Sequence, residues 1–447
     1  MKQNSGSKVN KSQFDIIFKL VLTITLVKFI LIFNIEPISL YYSAGAWLGS
    51  DTDGYLQGAK AIAIEGFFSK SGFLSYYAPG YPIFIWIVEA FFGSKTFLMI
   101  SILQTIFYSF SIYLLAKQIF LLGLRRIAVS FIFLTLLNPM LSLSSMQLGY
   151  ESLVASLISI ILALLIKNYQ YLEKKKMSYG IILVSILMGI SIWLAPRMIL
   201  TNLIVLIFYA FYSKNKSLLV PILCGICIVI TFQLSMMSRN YIAVGSFSSQ
   251  TSLGNLALMG SGPSATGTYK NGPTGITCLI ESEKEAYQST EKLKCAIRWY
   301  AENPFQGAQL LWKKSYRLWS PWFGPLAGGT NELHPYLQSF HPIKSNITSQ
   351  QQFDLVFGPI GKMISWLWII GGWILLVLGF MHLWSRNELA RTTGLLSVLL
   401  ICLNWISALI TIGDSRYRIP LMSVSLLLQV IGSSELIRRL SHYINRK

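Results

Sequence analysis

Hydropathy along this chain comes in long blocks. Apolar stretches of roughly 20 residues with few charges recur from Ile16 to Ile437, separated by short basic turns and two long, more polar segments. At 1.5 Å of rise per residue, a helix of that length crosses the hydrocarbon layer of a bilayer. Ten spans are predicted: Ile16–Ile35, Phe97–Leu121, Ile127–Leu143, Ser152–Ile166, Gly180–Ala195, Met198–Tyr212, Leu218–Met236, Met363–Leu383, Thr392–Ile412 and Leu421–Ile437. Residues 36–96 form a first loop, in which Tyr55, Leu56, Ala59, Ile62 and Ala63 recur at helical spacing opposite Gln57, Lys60 and Glu65. That periodicity predicts an amphipathic helix lying on the membrane surface. Pro82–Phe92 is apolar but only about half a span long, which suits an interfacial or re-entrant helix.

The predicted fold class is an all-α polytopic membrane protein of about ten transmembrane helices, with interfacial helices in the first outer loop and a large second outer loop. It divides into an N-terminal transmembrane catalytic module (1–237, including the first outer loop 36–96), the large outer loop (238–362) and C-terminal transmembrane helices (363–447). No internal repeat or low-complexity segment is visible.

Composition agrees. Of 447 residues, 53% are hydrophobic and 12% charged, about half the charged fraction of a soluble domain. A soluble enzyme, a nucleic-acid module and a disordered scaffold are thereby excluded. The net charge of +19 would suggest nucleic acid in a soluble domain, but in a membrane protein it reflects Lys and Arg held in cytoplasmic loops. The basic clusters are Lys2, Lys8, Lys11 and Lys19; Arg125 and Arg126; Lys167 with Lys174, Lys175 and Lys176; Lys214 and Lys216; Arg386 and Arg391; and Arg438, Arg439, Arg446 and Lys447. Laid on ten spans, they put both termini in the cytoplasm. Phe18–Ile35 is long enough to remain as a signal anchor.

The charges that break this pattern share the other face. Asp51 and Asp53 lie in the first outer loop, and Glu151 heads a span. Arg197 sits between two spans, Arg239 opens the large loop, and Arg416 and Arg418 fill the last outer turn. Ionisable groups at a membrane edge are costly and by default mark function. Arginines can hold a phosphate by bidentate contacts, and a carboxylate can take the proton of an attacking hydroxyl. Each residue also has a plainer reading. Arg197 could snorkel or pair with a structural acid, Arg416 and Arg418 could be ordinary loop charges, and Asp51, Asp53 and Glu151 could stabilise helix N-termini. Their joint placement favours the site.

Metal candidates are weaker. His334, His341 and Glu332 could hold a divalent ion, but the two histidines are separated by seven positions with Pro335 and Pro342 beside them, which is no helical ligand spacing. Cys224 and Cys227 form a CxxC inside an apolar span with no flanking ligands. Cys278 and Cys295 share the large loop, and a structural disulfide is expected there if that loop faces an oxidising compartment. Trp299, Trp312, Trp319 and Trp322 are expected to mark the membrane interface, with platforms for sugar rings as the alternative.

Four ordered segments resemble the GT-C membrane glycosyltransferases, in particular the glycosyltransferase family 39-like group of protein mannosyltransferases and the aminoarabinose transferase of lipid A. Asp51-Thr-Asp-Gly-Tyr55 with Ala59 resembles that group's D-x-x-x-Y-x-x-x-A, and Tyr77-Ala-Pro-Gly-Tyr-Pro82 its P-G-Y-P. Arg239-Asn-Tyr241, Gly254-Asn-Leu256 and Ala265-Thr-Gly-Thr-Tyr269 are similar to its R-N-Y…N-L…A-T-G-x-Y run, and Arg416-Tyr-Arg-Ile-Pro420 to its R-Y-R-x-P. Glu151 and Arg197 fall where such proteins place an acid and an arginine. The chain departs from the group at Gly254–Gly262, which lacks the usual glycine-rich sequence and tryptophans.

The resemblance implies transfer of a sugar, with inversion, from a polyprenyl-phosphate-linked donor to a lipid, glycan or protein acceptor on the non-cytoplasmic face of a bacterial cytoplasmic (inner) membrane. In this reading Asp51 is the general base, with Asp53 the second candidate and Glu151 assisting. Arg197, Arg239, Arg416 and Arg418 bind the lipid phosphate, and Tyr55 and Tyr417 shape the site. No cofactor is required, a divalent metal is compatible, and no nucleic acid is involved. The rival reading, a transporter or flippase of lipid-linked sugars, would show inverted repeats and mid-membrane polar residues.

Overall fold

The computed structural model describes residues 11–35, 46–48, 51–173, 180–213, 218–267, 274–278, 280, 285–321 and 358–445. The expectations for Lys2, Lys8, Lys174–Lys176, Lys214, Lys216, Tyr269, Trp322, Glu332, His334, His341, Arg446 and Lys447 lie outside these residues. The chain is an all-α polytopic membrane protein. Seventeen α-helices of the described residues are α1 (Lys11–Phe33), α2 (Thr52–Glu65), α3 (Gly72–Tyr76), α4 (Gly80–Phe92), α5 (Thr96–Leu121), α6 (Arg125–Leu136), α7 (Pro139–Ser144), α8 (Glu151–Glu173), α9 (Gly180–Leu194), α10 (Met198–Ser213), α11 (Leu219–Val244), α12 (Leu253–Met259), α13 (Glu285–Glu302), α14 (Pro304–Trp319), α15 (Pro359–Trp384), α16 (Glu388–Ile410) and α17 (Ile419–Ile444). Among the described residues seven stretches are long and apolar enough to cross a membrane, and α9 and α10 are shorter apolar helices.

The span expected at Ile127–Leu143 is divided. α6 ends at Leu136 and α7 begins at Pro139, because proline cannot donate into the preceding turn and disfavours helix at the residue before it. Asn138 then turns its Oδ1 to the Leu141 N–H at 3.1 Å and caps the new helix.

α8 is the axis of the bundle. Its small and aliphatic residues, among them Val154, Ala155, Ile158, Leu162 and Leu165, are buried around the helix, as expected of a helix that is apolar on every side. One core cluster runs from Ile17 on α1 to Ile431 on α17. Serine pairs and tyrosines stitch the helices where no water can serve. Ser159 and Ser423 share a 2.8 Å hydrogen bond between α8 and α17, and Tyr169 donates to Glu388 at 2.8 Å between α8 and α16. α15 and α17 touch backbone to backbone: a Cβ on Gly379 would stand 1.9 Å from Leu428 O, and one on Gly432 1.9 Å from Leu375 O.

The amphipathic helix expected in the first loop is α2, and its buried stripe of Tyr55, Ala59 and Ile62 matches the periodicity, although Ala63 is exposed. The stripe packs on α4 rather than facing lipid, since Gly58 lies against Pro82 and Leu74. Cys278 and Cys295 form a disulfide that ties the start of the loop segment to α13. Trp319 is buried against Trp373 and Trp405 in the bundle, whereas Trp312 is exposed and stacks on Trp366. Cys224 and Cys227 are free thiols on the exposed face of α11.

Candidate functional site

The site begins with a two-residue parallel ladder. Trp47 pairs with Gln147 and Leu48 with Leu148, an offset of one hundred positions that carries forward to Asp51 and Glu151. Thr52 extends the alignment by donating to Leu148 O at 3.2 Å. Each acid then opens a helix, Asp51 at the N-cap of α2 and Glu151 in the first turn of α8. Asp51 makes no side-chain capping bond. Its carboxylate is spent elsewhere.

Arg416 takes it. The guanidinium Nη1 lies 2.7 Å from Asp51 Oδ2 and Nε lies 3.1 Å from Glu151 Oε1, so one planar fork joins both acids. Arg416 reaches them from a 3-10 turn, Ser415–Arg418, which breaks the chain between α16 and α17. Asp414 starts that turn by accepting from the Arg416 N–H at 2.8 Å, and Asn404 of α16 donates to Tyr417 O at 3.0 Å. The site is thus drawn from three separated segments of chain. Side-chain exposure differs across it: 35% for Arg416, 26% for Asp51 and 10% for Glu151. Asp51 is the acid an incoming group can reach.

Arg197 completes the cluster. Its guanidinium carbon stands 3.9 Å from the centroid of the Tyr417 ring, a contact worth about 0.5–2 kcal/mol depending on desolvation. Its Nε and Nη2 are buried and make no hydrogen bond among the described residues. Orphaned donors on a cation are expensive unless something accepts from them, so these two N–H groups are open to an added acceptor. Arg416 also stands 5.8 Å from the Tyr417 ring.

Tyrosines form the wall beneath. Tyr55 is buried at the meeting of the Tyr77, Tyr81 and Tyr150 rings, with centroids 5.0, 5.0 and 6.2 Å away. Burial, reinforced by the Glu151 and Asp51 charges, pushes its hydroxyl well above the ordinary tyrosine range, so it remains a neutral donor. Tyr150 is raised chiefly by burial, with Arg197 pulling the other way. Tyr81, in the P-G-Y-P segment, donates to Gln104 Oε1 at 3.1 Å, and Gln104 in turn donates to Gln147 O at 2.9 Å. The motif therefore supports the ladder that aligns the acids.

The structure brings together Asp51, Glu151, Arg416, Arg197, Tyr55 and Tyr417 of the residues singled out in the sequence. It does not bring the others to them. Arg239 is wholly buried and donates to Phe67 O at 3.0 Å, Ser69 O at 2.6 Å and Asn240 Oδ1 at 2.9 Å. These bonds pin α11 to the loop that follows α2, apart from the Asp51–Arg416–Glu151 cluster. Arg418 points away from the acids and donates to Trp319 O at 2.7 Å, with Met140 Sδ 3.8 Å away. Among the described residues its Nε has no hydrogen-bond partner, but the side chain faces the tryptophans of α14 and α15. Asp53 is exposed on the first turn of α2 and forms no ion pair among the described residues. Tyr150, Asp414 and Asn404 belong to the site and were not singled out. Tyr150 could have been found from its place beside Glu151, while the other two show no signal before the turn is folded. Among the described residues no group of three or more His, Cys, Asp or Glu side chains is gathered to hold a metal, and Arg416 fills the bridging position between the two acids.

No family model matches the sequence, and no curated protein matches it. Among solved structures the chain is similar to the archaeal oligosaccharyltransferase AglB from Archaeoglobus fulgidus in complex with an inhibitory peptide and a dolichol-phosphate, with a TM-score of 0.46 and 11% identity over 98% of this chain and 52% of that one. It is similar, too, to the Archaeoglobus fulgidus oligosaccharyltransferase tethered with an acceptor peptide containing the NVT sequon, with a TM-score of 0.46 and 12% identity over 97% and 51% of the two chains. The chain spans about half the length of both. At that score and identity the likeness carries no weight for function.

Proposed function

We propose that this protein is an inverting membrane glycosyltransferase that moves a sugar from a polyprenyl-phosphate-linked donor to an acceptor hydroxyl or amine at the membrane face where Asp51, Glu151 and Arg416 meet. The observation that carries the reading is the pairing of a partly open carboxylate with a buried guanidinium that has two unspent donors. Inverting transfer to a hydroxyl needs one base on the attacking group and stabilisation of charge on the departing phosphate. Asp51 accepts the proton of the acceptor hydroxyl as the acceptor oxygen bonds to the anomeric carbon. The bond from that carbon to the phosphate oxygen breaks on the opposite face, and the charge left on the phosphate falls to Arg197 and the exposed edge of Arg416. A phosphate needs no proton to leave, so one carboxylic acid serves where an inverting hydrolase uses two. Glu151 holds Arg416 from its buried side, and Tyr55 remains a neutral donor beside the acids. Asp53 is not used.

The test is transfer of labelled sugar by purified protein from a panel of polyprenyl-phosphate sugars, wild type against Asp51→Asn, with donor binding measured in parallel. Turnover that collapses in the variant while binding persists is the expected outcome. Binding without turnover in the wild type, together with donor movement across liposomes, would replace this reading with the flippase. Full turnover in Asp51→Asn would remove Asp51 as the base.

A further inference from the structure

Far from the carboxylates in sequence, Lys314 is wholly buried in α14. Buried lysines are rare unless paired, yet among the described residues no carboxylate lies within ion-pair distance of it. Its ammonium instead donates to Leu409 O at 2.8 Å and to Thr411 O. These carbonyls belong to the C-terminal end of α16, where helix carbonyls lack intrahelical donors and the dipole favours a cation. The neighbouring backbone is closed around it. A Cβ on Gly260 would come within 1.9 Å of Thr411 O and 3.1 Å of Lys314 Nζ, and one on Gly413 would stand 2.2 Å from Lys314 O. The Gly413 N–H donates to Gly267 O at 2.7 Å.

From Thr411 the chain has five residues to travel before Arg416 meets the acids. The far side of that turn is tied to the same helix, since Arg418 donates to Trp319 O, five residues beyond Lys314. A third tie runs from Trp405 Nε1 to Ser315 Oγ at 3.1 Å. α14 therefore grips the 409–418 segment at both ends, and Arg416 is the residue held between the two grips.

We propose that Lys314 is a positioning residue: by donating to the carbonyls that end α16 it sets the turn from which Arg416 bridges Asp51 and Glu151. Only the consequence for turnover rests on the glycosyl-transfer reading; the effect on the turn stands without it. The titratable group facing the ammonium from α13 is Tyr300, whose ring centroid is 5.5 Å away and whose hydroxyl donates to Gly260 O at 3.2 Å. From α16 and the 411–413 turn, backbone carbonyls face it, with Asp414 and Arg416 further along the turn and Arg317 one turn on along α14. Burial lowers Lys314 to about 7, and both the ammonium and the neutral amine keep at least two N–H donors, so the two carbonyls stay satisfied on either side of that titration.

The experiment compares wild type, Lys314→Met and Lys314→Gln as full chains in detergent. Amide hydrogen exchange is read on the peptides covering 405–418, with α8 peptides as the internal reference, and sugar transfer is read as separate kcat and KM values. The methionine variant is expected to exchange at least about tenfold faster at 405–418 with α8 unchanged, and to lose about 10- to 100-fold in kcat with KM within about twofold. The glutamine variant, with two amide donors on a shorter stem, is expected to recover part of both and serves as the measured variant if methionine does not fold. Unchanged exchange at 405–418, or turnover equal to wild type, would overturn the proposal. If the wild type transfers no sugar, the glycosyl-transfer reading fails, and the exchange result alone decides whether Lys314 sets the turn.

Discussion

Two arginines at one end of this bundle, one partly open and one wholly buried, have opposite fates. Arg416 projects from a short 3-10 turn between the carboxylates of two other segments. Arg239 lies within α11 and is saturated by Phe67 O, Ser69 O and its neighbour Asn240. By sequence both were expected to break the positive-inside pattern, and both sit in short motifs of the same resemblance. The difference lies in their partners. Backbone carbonyls are satisfied by a guanidinium and need nothing more, so Arg239 locks the junction of α11 with the loop after α2. Carboxylates keep reactivity when paired, and an arginine whose own side chain stays partly open can exchange a contact with an incoming anion.

Replacement at the accessible pair should produce the largest effect. Asp51→Asn is expected to lower kcat by about 10²–10⁴, the contribution typical of a positioned base, whereas Asp53→Asn two residues on should stay within about twofold because its side chain is exposed and in no ion pair among the described residues. Measuring both in one transfer assay sharpens the comparison, and equal losses would break it. Next comes Arg416→Ala, expected to cost about 10²–10³ in kcat. Arg416→Lys should recover little, since one ammonium does not reproduce two parallel donors aimed at two acids.

The saturated arginine should behave in the reverse manner. Arg239→Met leaves three acceptors without their donor in a dry junction, at about 1–3 kcal/mol for each buried group left unsatisfied. The expected outcome is a lower midpoint in thermal or urea unfolding, with kcat of the folded fraction within about twofold of wild type. A variant that stayed stable but lost donor binding would return Arg239 to the phosphate site.

The all-α, membrane-spanning class was legible because a membrane demands apolar runs of fixed length, and such runs need no partner to be recognised. The interruption at Asn138–Pro139 was legible too, and treating Ile127–Leu143 as continuous ignored a proline whose consequence is local. Asp51 and Glu151 could be suspected but not joined. Their alignment depends on a two-residue ladder, Trp47–Leu48 with Gln147–Leu148, that closes a loop of one hundred residues, and no local periodicity encodes such a pairing. Arg239 and Arg418 were drawn into the site by their sign and their motifs, which record charge but not what saturates it. Lys314 was passed over for the opposite reason: Lys313-Lys314 in a polar loop segment looks like a pair of solvated charges, and only the folded end of α16 shows which one is inside.

The smallest expected effect concerns that lysine and tests whether burial, rather than ion pairing, governs it. Lys314 releases its proton near pH 7 in the folded protein, whereas an ordinary lysine does so near 10.5. Between those values the unfolded chain binds a proton that the folded chain does not, so unfolding takes up a proton and stability rises as the pH increases. Below pH 7 both states hold the proton and above 10.5 neither does, so the contribution to the slope vanishes outside the window. One proton corresponds to about 1.4 kcal/mol per pH unit at most. Urea unfolding of Lys314→Met in detergent, followed from pH 7.5 to 9.0, should therefore lack about 2 kcal/mol of the stabilisation that the wild type gains over the same range. A wild-type slope identical to that of the variant would mean that Lys314 keeps its proton throughout. Its two carbonyls would then hold a full charge at the end of α16, the geometry of the turn unchanged but its electrostatics those of an undiminished helix cap.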